Sequence, residues 1–113
     1  LTFLAAYGKI FLLHVRGVGM QAEIRRAVVD VIDQIQSSSG REIPAITGTM
    51  CPLTDIAGFD SLNAVEVSCL LSARLGWEVP PDLMFPEGND RPPTVDDIVD
   101  RLVTMIAEEE GNE

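Results

Sequence analysis

The sequence predicts an all-α fold: a small antiparallel bundle of three main helices plus one short helix, with a long loop between the first and second helices. Three observations carry this expectation. Apolar residues recur at three- and four-residue spacing in three separate stretches. No stretch keeps the strict alternation of a half-buried strand. Pro and Gly cluster in the segments between the periodic stretches. With 113 residues the chain makes one domain, large enough for a modest core without disulfide or metal staples.

The first helix is expected over about residues 21–37, where Ile24, Val28, Val31 and Ile35 form a stripe widened by Ala27 and Ile32. Glu23 suits the positive start of the helix dipole, and Ser37 to Gly40 supplies a stop. The next twenty or so residues contain Pro44, Gly48, Pro52 and Gly58 without a sustained period. A loop this long needs a function or apolar anchors of its own, here Ile43, Ile46, Leu53 and Ile56. Leu62, Val65, Val67, Leu70, Leu71 and Leu75 then predict a second helix over about 61–75, with Gly76 as a left-handed C-terminal cap.

Pro80-Pro81-Asp82 predicts the short helix, running through Phe85, because proline fits a first helical turn. Residues 86–93 form a Pro- and Gly-bearing loop. Thr94 is the expected N-cap of the last helix, with Asp96 and Asp97 in its first turn. Val95, Ile98, Leu102, Met105 and Ile106 carry that helix to about residue 108, leaving residues 109–113 as an acidic tail.

Eight Lys plus Arg against 18 Asp plus Glu give a net charge of −10. That balance argues against nucleic acid and anionic membranes and favours partners with positive patches. The acidity is unevenly placed. Residues 1–19 hold no acid, only Lys9, His14 and Arg16 among apolar residues, so the remainder stands at −12. Lys9 and His14 interrupt the apolar run that a signal peptide or membrane span requires. We read residues 1–19 as translated upstream sequence, with Met20 as the natural start. An amphipathic arm docked on the domain at 20–108 is the alternative.

Nothing in the chain reads as a catalytic constellation. The one histidine, His14, lies in the leader, and Asp96, Asp97 and Asp100 read as helix-start electrostatics rather than metal ligands. Cys51 and Cys69 have no metal-ligand spacing and are expected as free thiols in a cytoplasmic protein. No metal site is expected.

Gly58-Phe59-Asp60-Ser61-Leu62 closes the long loop and opens the second helix. The plain role for Ser61 there is an ordinary N-cap. The same position also projects a hydroxyl beside the positive end of a helix, which suits a group bearing phosphate. Without a neighbouring base that hydroxyl is a poor nucleophile, but it is a good substrate for an enzyme that modifies it.

Asp60-Ser61-Leu62, preceded by glycine and followed by Asn63-Ala64-Val65-Glu66-Val67, resembles the attachment motif of acyl carrier proteins. The amphipathic first helix, the anchored loop, the short helix after Val79-Pro80 and Thr94-Val95 opening the last helix are similar too, so the resemblance covers about residues 20–108. It implies a carrier that is not an enzyme. Ser61 would receive 4′-phosphopantetheine from coenzyme A through a separate Mg²⁺-dependent holo-synthase, with Asp60 and Leu62 flanking the attachment point. The arm's thiol would carry acyl groups as thioesters for acyl-loading and acyl-processing enzymes. Carriers of this kind generally work as monomers. Leu62, Val67 and Leu71 would be candidates to line an acyl chain, with plain core as their simpler role.

By the same resemblance Asp60 and Glu66 are acids that face partner enzymes. Between Ser61 and Gly76, however, Glu66 is the only acid, and Asn63 stands where such carriers often show aspartate. The outward face instead offers Val65, Ser68, Cys69 and Ser72. Partner contact is therefore expected through Asp60, Val65, Glu66 and Cys69 with more apolar packing and less charge steering. This suggests a specialised carrier in fatty acid, polyketide or related acyl biosynthesis. A peptidyl or aminoacyl carrier of a nonribosomal pathway is one alternative, and an unmodified acidic helical interaction protein is another. Phe59, Trp77 and Phe85 are expected as packing residues, with partner contact a second role for Phe59.

Overall fold

The computed structural model describes residues 19–88 and 91–111 of the chain. The leader lies outside the described residues. Among the described residues four helices appear in order: α1 (Met20–Ser38), α2 (Pro52–Asp55), α3 (Ser61–Leu75) and α4 (Val95–Gly111). No strand occurs among the described residues. The fold is the expected all-α bundle with one short helix.

α1 buries the stripe that its spacing predicts: Ile24, Ala27, Val28, Val31, Ile32 and Ile35. It stops where Ser39, Gly40 and Arg41 donate backbone N–H groups to the carbonyls of Ile35, Ser37 and Gln36. α1 packs against both α3 and α4. Arg74 of α3 pairs with Asp30 of α1 at 3.0 Å, and Arg25 of α1 pairs with Asp96 of α4 at 2.6 Å. Gln21 also donates to Asp100. A step of four residues forward along α1, from Gln21 to Arg25, is thus a step of four back along α4, from Asp100 to Asp96, so the two run antiparallel. All of these ion pairs are half exposed and add little stability, but they mark the register.

The short helix is not where the sequence placed it. Pro80 to Phe85 forms two hydrogen-bonded turns, Leu83 N to Pro80 O at 3.2 Å and Phe85 N to Asp82 O at 3.0 Å. The carbonyls of Leu83 and Phe85 turn instead to Arg101 Nη1 of α4, at 2.7 and 3.1 Å. The guanidinium claims the acceptors that a continuing helix would use. The short helix is α2, inside the long loop. Pro52 occupies its first position and is buried, and Asp55 accepts from Cys51 N at 2.8 Å.

Of the four expected loop anchors, Ile56 is buried and Ile46 and Leu53 pack on the core. Ile43 is 49% exposed and anchors nothing. Its place is taken by a polar clamp. Gln36 is fully buried on α1, and its Nε2 donates to Glu42 O at 2.9 Å and Ala57 O at 3.1 Å. One amide therefore ties the start of the loop to its end. The middle of the loop caps α4, because Asp96 N donates to Gly48 O and Val95 N to Met50 O. Thr94 and Asp97 complete that start as a reciprocal capping pair, at 3.1 and 3.0 Å. α4 then runs to Gly111, past the expected end at 108, since consecutive glutamates are good helix formers.

Candidate functional site

The loop reaches α3 through Ile56-Ala57-Gly58-Phe59-Asp60. Phe59 is 4% exposed, so it anchors the approach from inside the core and is withdrawn from any partner surface. Gly58 has φ +78°, a conformation natural to glycine, and a Cβ there would collide with the side chain of Arg41. Asp60 is extended, with φ −116° and ψ −173°, and α3 begins at the next residue.

Asp60, not Ser61, is the N-cap. Its Oδ1 accepts from Asn63 N at 3.0 Å, and Asn63 Oδ1 accepts from Asp60 N at 3.1 Å. This is a complete capping box. Ser61 is the first residue inside the helix, exposed, and not needed for the cap. The expectation that Ser61 serves as an ordinary cap is therefore overturned. An aspartate one residue earlier makes the same bond with a charged acceptor, and Asn63 returns it.

The remaining site residues fall on two faces. Leu62 is 78% exposed and Val65 36% exposed, while Glu66 and Cys69 also face out. Cys69 and Cys51 are free. Val67 and Leu71 are fully buried and face the core, so Leu62 cannot share a lining role with them. Its position two residues ahead of the buried Ala64 turns it to the opposite side of the helix from the core. Ser68 also departs from expectation: it is 1% exposed, not outward. Ser72 is half-buried and bonded to Val79 N and Ser68 O, both at 2.9 Å. Trp77 and Phe85 pack against the core as expected.

One participant escaped the sequence reading. Arg41 returns from the far side of the loop, donating from Nη2 to Asn63 Oδ1 at 3.1 Å and to Ser39 Oγ at 2.9 Å. Asn63 also donates from Nδ2 to Glu66 Oε1 at 3.3 Å. Arg41, Asn63, Asp60 and Glu66 thus form one network around the first turn of α3. Asp60 followed three residues later by Asn63 was the available sequence signal for the cap. Nothing in the spacing signalled Arg41.

These residues fit a phosphopantetheine group in three respects. The Ser61 hydroxyl is accessible, the cap does not require it, and it stands at the positive end of a fifteen-residue helix where a phosphodiester is favoured. Two open clefts lie elsewhere, against α4 and lined by Asp82, Leu83, Glu87, Arg91 and Pro93 on the other side, and none of their lining residues belongs to α3. Among the described residues no group of three or more His, Cys, Asp or Glu is placed to hold a metal ion, and no helix is long and apolar enough to cross a membrane.

Comparison with curated proteins and with solved structures gave no significant match. A family model does match, described as the phosphopantetheine attachment site, over residues 30–102. That span is well over half of the chain and contains the whole network around α3. Domains of this family carry 4′-phosphopantetheine covalently and are not themselves catalytic. With that match the likeness first visible in Asp60-Ser61-Leu62 becomes membership: the chain belongs to the phosphopantetheine attachment family, that of the acyl carrier proteins.

Proposed function

We propose that the protein is an acyl carrier, with 4′-phosphopantetheine borne on Ser61 and acyl intermediates of fatty acid, polyketide or related specialised biosynthesis carried as thioesters. The observation that carries this reading is the division of labour at the start of α3. Asp60 and Asn63 hold the helix end, and the serine beside them is left exposed.

Attachment forms a bond between Ser61 Oγ and phosphorus as the pyrophosphate bond of coenzyme A breaks, and adenosine 3′,5′-bisphosphate leaves with the electron pair. The hydroxyl proton goes to a base on the holo-synthase, while Asp60 Oδ1 stays engaged with Asn63 N in the cap. Once bound, the group supplies a thiol on a flexible arm. The chain's own residues hold the root of that arm and offer an address. Leu62, Val65 and Cys69 present an apolar surface, and Asp60 and Glu66 present acids at its edge. Partners are the holo-synthase and acyl-loading and acyl-processing enzymes, met by a cytoplasmic monomer that is not itself an enzyme. Overall acidity favours acyl cargo over the peptidyl cargo of a nonribosomal pathway.

Intact mass after incubation with coenzyme A, Mg²⁺ and a broad-specificity holo-synthase tests the reading. One added phosphopantetheinyl group is expected on the wild type and none on Ser61→Ala. A folded wild type that stays unmodified overturns it.

A further inference from the structure

Arg41 is held in place but has no carboxylate partner among the described residues. Arg25, Arg74, Arg91 and Arg101 each pair with an acid. Arg26 is also without such a pair there, but it lies exposed on α1 with no hydrogen bond, as a solvated side chain does. Arg41 is different. It is half-buried, and its Nη2 donates to both Asn63 Oδ1 and Ser39 Oγ. Its side chain crosses Gly58 so closely that a Cβ there would lie 2.8 Å from Nη1. The acids of the same network are engaged with Asn63 instead, Asp60 through the backbone N–H and Glu66 through Nδ2. In a chain with 18 acids, a guanidinium held still without one calls for an explanation.

The start of α3 supplies one. Asn63 Oδ1 accepts from Arg41 Nη2 and also from Asp60 N, so the guanidinium stands two hydrogen bonds from the residue that precedes Ser61. The cap meanwhile takes up part of what an anion would use at this helix end. Asn63 N already donates to the Asp60 carboxylate, whose charge also lies against the positive end of the helix dipole. A phosphodiester on Ser61 sets a second negative charge beside Asp60, with Glu66 on the next turn. Like charges so close repel, and a cation within reach offsets the repulsion. Arg41 is that cation, and a guanidinium matches phosphate oxygens in geometry as well as in charge.

We propose that Arg41 holds the phosphodiester at the root of the arm, with Nη1 and Nε, which donate to nothing among the described residues, as the donors. The proposal rests on the carrier reading, because only attachment at Ser61 brings the anion there. Arg41 is then a positioning residue. It fixes the direction in which the arm leaves α3. It also couples attachment to the fold, through Ser39 at the end of α1 and Asn63 on α3. The modified protein is therefore harder to unfold than the unmodified one by the strength of this contact.

The test compares the full chain before and after modification by a broad-specificity holo-synthase with coenzyme A and Mg²⁺, for wild type, Arg41→Gln and Arg41→Lys. Urea unfolding gives the folding constant of each form. Loss of the Asn63 and Ser39 bonds in a variant then cancels from the ratio of modified to unmodified constants. At low salt that ratio should be about threefold larger for wild type than for Arg41→Gln, the scale of one partly exposed charge pair. Arg41→Lys should recover most of the difference, and high salt should shrink it. By NMR, the Arg41 Nε–H resonance of the wild type should shift on modification while that of Arg26 stays in place. Equal ratios for wild type and Arg41→Gln overturn the proposal, as does an Arg41 resonance that modification does not move. The mass increase then leaves the carrier reading intact. Should Arg41→Gln not fold, the wild-type resonance alone decides. A mass that never increases overturns both.

Discussion

Asp60 and Asn63 cap each other across the first turn of α3, each side chain accepting from the other's backbone N–H at 3.0 and 3.1 Å. This relationship releases Ser61 from structural duty, and it predicts how stability and modification separate. Asp60→Ala should lower unfolding free energy by about 0.5–2 kcal/mol, the usual scale for a lost N-cap. Ser61→Ala should stay within about 0.5 kcal/mol of wild type while abolishing phosphopantetheine attachment. Urea unfolding followed by circular dichroism, with intact mass alongside, reads both.

Arg41 and Gly58 occupy one small volume, and their coupling is measurable. Gly58→Ala introduces a Cβ at φ +78° and drives it into the Arg41 side chain, so it should cost more than the about 1 kcal/mol of backbone strain alone. In an Arg41→Ala background the collision disappears and only the strain remains. A double-mutant cycle by urea unfolding should therefore show a coupling of at least about 0.5 kcal/mol. Strict additivity would mean that Arg41 yields freely.

The helices were legible in the sequence because their apolar periods are long and their ends carry local signals. Gly76, at φ +67°, closes α3 as its position implied, and Thr94 opens α4 with Asp97. What the spacing could not show are contacts made by chain returning from afar. Arg41 meets Asn63 across twenty-two residues, and Arg101 meets Leu83 and Phe85 across eighteen and sixteen. The latter turned an expected short helix into two turns. Leu62 misled for another reason: it is apolar beside an apolar stripe, yet a single step of 100° round the helix carries a side chain from core to solvent.

Two carboxylates pull stability in opposite directions as pH changes. The Thr94 backbone N–H, donating to Asp97, holds that carboxyl below the usual value of 3.8, aided by the Thr94 side chain and by Arg91 and Arg101 against a partial desolvation. Its contribution is present above the unfolded value and is lost as pH falls through the depressed one. Burial of Asp33, reinforced by Asp30, pushes its carboxyl above 3.8. That group withdraws stability as pH rises from 3.8 through its raised value. Asp97→Asn should thus destabilise at pH 7 with the loss fading in acid, and Asp33→Asn should stabilise at pH 7 with the gain fading in acid. Thermal unfolding between pH 2.5 and 7 checks both signs.

Gln36, a buried amide, ties the two ends of the long loop through Glu42 O and Ala57 O. Gln36→Leu keeps the volume but leaves both carbonyls without their donor, so a loss of roughly 2–4 kcal/mol is expected. The loss should also reach the site, because Ala57 precedes the Gly58–Asp60 approach to α3. Amide exchange should quicken from Ala57 to Asn63 more than within the middle of α1. Uniform quickening would show that the clamp serves global stability alone.

Leu62 decides between a docking surface and an apolar residue with no task. It is 78% exposed beside Ser61, on a helix whose only acid is Glu66, so charge contributes little to any encounter on this face. If partners pack on it, Leu62→Ser removes buried area in the complex while changing nothing in the free fold. Stability should stay within about 0.5 kcal/mol. The rate of phosphopantetheine transfer at limiting carrier concentration should fall by about tenfold, the loss of a modest interface hot spot. Val65→Glu should lower it further, by forcing a charge into the same contact. Because the contact is apolar, raising salt from 50 to 500 mM, on the order of a threefold shortening of the screening length, should leave the wild-type rate nearly unchanged. A rate that collapses with salt yet ignores both substitutions would place the docking energy on Asp60 and Glu66 instead.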